Sequence, residues 1–105
     1  MIVYEVTLAV AADAAGAYAA WLGPHIREVL ACDGFRSAEW FEVEPDGEAD
    51  GQVRWCVQYR LESRAALDAY LAGPAQRLRA EGVETFGGRF TATRRVLALR
   101  EAAAR

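Results

Sequence analysis

The chain has 105 residues, 53% hydrophobic and 26% charged, with a net charge of -3. That is enough for one compact core and leaves no room for a separate cofactor domain; the hydrophobic content excludes a disordered chain. An overall negative charge is the wrong sign for a protein whose partner is a phosphate backbone, although all twelve basic residues are arginine and five of them fall between Phe86 and Arg105.

Ile2 to Val10 alternates, with Ile2, Tyr4, Val6, Leu8 and Val10 on one face against Val3, Glu5, Thr7 and Ala9 on the other. This predicts a strand with one apolar face. Its lack of a positive n-region and the early charges Glu5 and Asp13 argue against export or a membrane span, and place the chain in the cytoplasm. From Ala14 the period becomes helical. Ala14, Tyr18, Leu22, His25, Ile26 and Val29 form one stripe, with Asp13 as the expected N-cap, Gly34 as terminator, and a kink or restart at Gly23-Pro24.

Phe35 to Val43 reads as a second strand, and Val53 to Leu61 as its hairpin partner, joined by the acidic turn Glu44 to Gly51. Ser63 should cap a second helix with the stripe Leu67, Tyr70, Leu71 and Leu78, interrupted at Gly73-Pro74 and closed near Gly82. Phe90 to Leu99 is the fourth strand. Residues 1–100 thus form a single domain, with 101–105 a frayed tail.

The two halves echo one another, each placing an aromatic-leucine pair before a Gly-Pro break: Trp21-Leu22-Gly23-Pro24 and Tyr70-Leu71-Ala72-Gly73-Pro74. The order β-α-β-β-α-β with such an echo predicts an α+β, ferredoxin-like βαββαβ fold, a four-stranded antiparallel sheet with the helices on one face. The other face stays bare. It should carry Glu5, Thr7, Gln58, Thr93 and Arg95, with Trp40 beside them, and Glu5 should neighbour Gln58 because the first and third strands are central.

Several segments resemble a bacterial family known as domain of unknown function 4286: Ile2-Val3-Tyr4-Glu5-Val6, Trp21-Leu22 with His25-Ile26, Gly34-Phe35, Val57-Gln58-Tyr59, Ser63-Arg64, Arg77-Leu78-Arg79 and Phe86-Gly87. The similarity spans nearly the whole chain. More distantly, a helix-borne histidine before a Gly-Phe turn is similar to the dimeric α/β-barrel superfamily, in which two ferredoxin-like sheets pack face to face. That superfamily includes stress-responsive barrel proteins and cofactor-free monooxygenases. The resemblance implies a homodimer through the open sheet face and leaves the chemistry open.

Two uses of the mixed bare face compete: a small-molecule site lined by Glu5, Thr7, Trp40, Gln58, Thr93 and Arg95, or an interface whose charges pair across the dimer. His25, the only histidine, is the candidate acid or base, against the plainer role of a half-buried ring bonded to a carbonyl. No cofactor is expected. No metal site is expected either, since Cys32 and Cys56 are far apart and the calcium-like run Asp46, Glu48, Asp50, Gly51 lacks its closing glutamate, Val57 standing there instead. Nucleic-acid binding is disfavoured because the third strand lacks the glycine pattern of RNA-recognition modules. The reading is a binding or stress-associated accessory protein using the cleft between sheet faces; the alternative is a cofactor-independent monooxygenase- or cyclase-like enzyme acting on a small aromatic or polyketide-like substrate.

Overall fold

A computed structural model describes all of residues 1–105. The strands are β1 (Ile2–Ala11), β2 (Phe35–Glu42), β3 (Gln52–Leu61) and β4 (Phe90–Ala98), and the helices α1 (Ala15–Leu30), α2 (Arg64–Ala72) and α3 (Pro74–Phe86). The sheet runs β2-β3-β1-β4, antiparallel throughout. This is the ferredoxin-like order, with β1 and β3 at the centre. Residues 99–105 have no regular secondary structure and are exposed.

Strand alternation decides which side is buried. Tyr4, Leu8 and Val10 of β1 and Trp55, Val57, Tyr59 and Leu61 of β3 join Tyr18, Leu22 and Val29 of α1, Leu67 and Tyr70 of α2, and Leu78 of α3 in one core. All of these strand residues point to the helix side, so the opposite face is left without a helix. Burying each large apolar side chain contributes about 1.5–3 kcal/mol, which makes this layer the main source of stability.

The two Gly-Pro breaks have different outcomes. At Gly73-Pro74 the chain leaves helical geometry, with Gly73 at φ -125 and ψ -95, and α3 starts with Pro74 at its first turn. At Gly23-Pro24 no second helix begins and α1 runs through to Leu30. Proline forfeits one backbone donor there, but its φ is compatible with a helix, and Tyr18, Leu22 and Val29 pin the helix to the core on both sides.

Other boundaries differ at the caps. Asp13 does not cap α1: the N-cap is Ala14, and Asp13 lies in a 3-10 turn where Arg89, just before β4, pairs with its carboxylate. Ser63 does cap α2, its Oγ accepting from the Ala66 N–H at 3.1 Å. Gly34 ends the α1 connection at φ +85, a left-handed position that favours glycine. Gly82 does not close a helix; it lies buried inside α3, facing Trp21.

Candidate functional site

The sequence-predicted residues divide between the two sheet faces. On the bare face, Glu5 stands in register with Gln58 on one side and Arg95 on the other. Gln58 Nε2 donates to Glu5 Oε2 at 2.8 Å, and Arg95 Nε donates to Oε1 at 2.6 Å. Glu5 is 5% exposed, whereas the Arg95 side chain is 69% exposed, so a carboxylate covered by its strand neighbours is held by a solvated cation. The Arg95 hydrogen bond, followed by that of Gln58, draws the Glu5 carboxyl below its ordinary range against the opposing effect of burial. Thr7 pairs in register with Thr93 and with Cys56, whose thiol is pushed up chiefly by burial and then by the Glu5 charge.

Trp40 is not part of this row. It pairs with Val57, which faces the core, and its ring meets Trp55 edge-on at 5.2 Å. A bulge between Phe35 and Ser37 sets this phase in β2, and the residue on the bare side is Phe41, opposite Cys56.

A partly open pocket lies on the other side of the sheet. A cavity of about 320 Å³ is bounded by α1, Tyr70 of α2, α3 and residues of β1, β3 and β4, and 13 of its 19 lining residues are hydrophobic. Glu5, Thr7, Gln58, Thr93 and Arg95 do not line it, because the pleat turns them away. In the single chain these residues lie on the open sheet surface, Arg95, Glu5 and Gln58 in a hydrogen-bonded row, and line no pocket of their own. His25 does line it. The helices cover the central strands but leave the β4 edge partly open, so the exposed Arg94 and Val83 stand at its margin.

His25 projects from α1 one turn after Trp21, and the two rings stack at 4.4 Å with 22° between their planes. Trp21 in turn meets Tyr18 edge-on at 5.3 Å. Imidazole Nδ1 is buried and has no hydrogen-bond partner. Burial, with a smaller contribution from Arg94, lowers the His25 pKa, while Glu28 opposes the shift. The ring is therefore neutral at pH 7 and one nitrogen can accept a proton.

The cavity also presents phenols and a guanidinium that sequence reasoning passed over. Burial raises Tyr18 and Tyr70 to about 12, so both remain protonated hydrogen-bond donors. Arg79 of α3 reaches across to the sheet, where Nη2 donates to the Tyr4 hydroxyl at 2.6 Å. The helical stripe misled here: Arg79 follows the buried Leu78 and reads as its solvent-facing neighbour, yet a long side chain can turn inward along apolar surface. In the acidic hairpin Asp50 is taken by Arg54 at 2.6 Å and by the Gln52 N–H at 3.1 Å.

Strand order and one-sided helices make this a ferredoxin-like protein with a hollow between helices and sheet. The chain belongs to the family described as domain of unknown function (DUF4286), which it matches over residues 1–100. No curated protein matches its sequence. Among solved structures it is similar to a provisionally assigned antibiotic biosynthesis monooxygenase from Deinococcus radiodurans, with 17% identity, a TM-score of 0.75, and 99% of this chain and 97% of that one covered. It is also similar to Rv0793 from Mycobacterium tuberculosis, at 29% identity, a TM-score of 0.64 and coverage of 99% and 100%. A third is a variant of SnoaB, a cofactor-independent oxygenase from Streptomyces nogalater, at 13% identity, a TM-score of 0.66 and coverage of 96% and 95%. No helix is long and apolar enough to cross a membrane.

Proposed function

We propose that this chain is a cytoplasmic, stress-associated or accessory small-molecule binding protein whose ligand sits in the helix–sheet cavity, and that two copies join through their bare sheet faces. The observation that carries this reading is a mainly apolar hollow of about 320 Å³ beside an unpartnered histidine nitrogen. That volume lies within the range of small-ligand sites, and its lining suits an aromatic ligand. On the bare face the row Arg95, Glu5, Gln58 fits the interface role. The Glu5 charge is already paired within the chain, so a second copy that covers the row has to supply acceptors only for the remaining guanidinium N–H groups of Arg95.

A second reading is favoured by His25. As a neutral imidazole on the cavity wall it can take a proton from an acidic phenol or carbon of a bound aromatic substrate, the electron pair remaining on the substrate as a delocalised anion. The cofactor-independent oxygenase named above shares the fold, and that likeness makes this chemistry worth testing here.

Native mass spectrometry of protein purified from its own host, with analytical ultracentrifugation, tests both parts. The expected result is a dimer retaining a small molecule that is lost in Ala92→Trp, which fills the cavity from β4. A monomer at micromolar concentration overturns the interface, and a ligand retained unchanged by Ala92→Trp overturns the cavity as its site. For the enzymatic reading, a candidate substrate consumed equally fast by His25→Ala removes the proposed acid–base role.

A further inference from the structure

We propose that the helix–sheet cavity selects ligands bearing an anionic group on an aromatic body, with Arg79 and Arg94 receiving the charge. The inference rests on the cavity being a ligand site and names the ligand class it takes.

Of the twelve arginines, seven are ion-paired: Arg36, Arg54, Arg60, Arg64, Arg77, Arg89 and Arg95. Among the other five, Arg27, Arg100 and Arg105 are exposed and lie outside the cavity lining, while Arg79 and Arg94 both line the cavity. No aspartate or glutamate is among the lining residues. The hollow is thus apolar in its walls and cationic in its only formal charges.

The Arg79 hydrogen bonds point the same way. Its single side-chain partner is the neutral Tyr4 hydroxyl, and its Nε–H is buried without an acceptor. Buried guanidinium donors are ordinarily satisfied, by a carboxylate above all, so a guanidinium that lines the cavity with a neutral phenol as its one side-chain partner is short of an anionic acceptor. The Tyr4 hydroxyl, having accepted from Arg79, still has its own proton to donate. Arg94 enters from the β4 edge, and its charge is felt by Tyr18, His25, Tyr59 and Tyr70. An acidic aromatic would place its ring among Tyr18, Trp21 and Phe90 and its charge between two cations from different elements.

Two fluorescent probes that differ by one sulfonate test this in the full chain: 1-anilinonaphthalene-8-sulfonate and the neutral N-phenyl-1-naphthylamine. The sulfonate should bind about tenfold more tightly or better, a gap of about 1.4 kcal/mol. Arg94→Gln, an exposed substitution that leaves the core intact, should remove most of that preference without weakening the neutral dye. Arg77→Gln, on the same helix as Arg79 but outside the cavity, should change neither. Equal affinities, or a preference unaltered by both Arg94→Gln and Arg79→Gln, overturn the anion inference and leave the cavity reading standing. Sulfonate binding that survives Ala92→Trp places the dye outside the cavity and also overturns it. If neither dye binds, both readings fall.

Discussion

The indole of Trp21 lies between the imidazole of His25, stacked at 4.4 Å, and the backbone of α3 at Gly82. A Cβ on Gly82 would stand 2.9 Å from Trp21 Cη2, closer than carbon atoms tolerate, and at 3.4 and 3.5 Å from two further ring carbons. Gly82 therefore fixes the indole, and the indole fixes the imidazole.

Gly82→Ala should push Trp21 against His25. Alanine favours a helix interior by roughly 1 kcal/mol over glycine, but overpacking a rigid stacked ring costs about 1–3 kcal/mol. We expect a net loss of stability in thermal unfolding, together with a shifted His25 ring resonance in NMR. An unshifted resonance would show that the ring pair does not depend on this contact.

Stability should fall in mild acid because of His25. Its folded pKa lies below the ordinary 6.5, so the unfolded chain binds the proton more readily. The stabilisation is complete above 6.5 and is lost as pH falls toward the folded value, by at most about 1.4 kcal/mol per unit. Urea unfolding between pH 7.5 and 5 should show this slope, and His25→Phe should reduce it. Since Arg94 contributes to the depression, Arg94→Gln should raise the His25 pKa in an NMR titration.

Glu5 acts at lower pH. Its carboxyl is depressed below 4.5, so its stabilisation is present above that value and disappears as pH falls through the folded pKa. Glu5→Gln should cost roughly 1–2 kcal/mol at neutral pH, since the buried acceptor loses its charge but Arg95 remains solvated. The difference from wild type should close on acidification below 4.5. A gap that stays constant to pH 3 would show that packing, and not charge, accounts for the loss.

Two glycines should respond oppositely to alanine. At Gly34, φ is +85 and a Cβ would lie 2.3 Å from that of Ala66, so Gly34→Ala should destabilise by at least about 1–3 kcal/mol. Gly16 lies in the first turn of α1 with nothing within 4 Å, and Gly16→Ala should gain up to about 1 kcal/mol. Calorimetry of the two variants checks both signs.

The alternation in β1 and β3 assigned Tyr4 and Tyr59 to one side and Glu5 and Gln58 to the other without any coordinates, because a period of two is a local property of an extended chain. The fold and the Glu5–Gln58 pairing were legible on that basis. Trp40 was misplaced because a bulge shifts the phase of β2, and a bulge depends on the partner strand as well as on the residues that form it. Gly-Pro likewise produced a break at 73–74 and an unbroken helix at 23–24, the difference lying in what each helix packs against. Above all, the hollow is a space between elements. Arg79, Arg94 and His25 come from α3, β4 and α1, 15 to 69 positions apart in sequence. Only packing the helices on the sheet brings such residues around one volume, because no local pattern encodes a space that side chains leave unfilled.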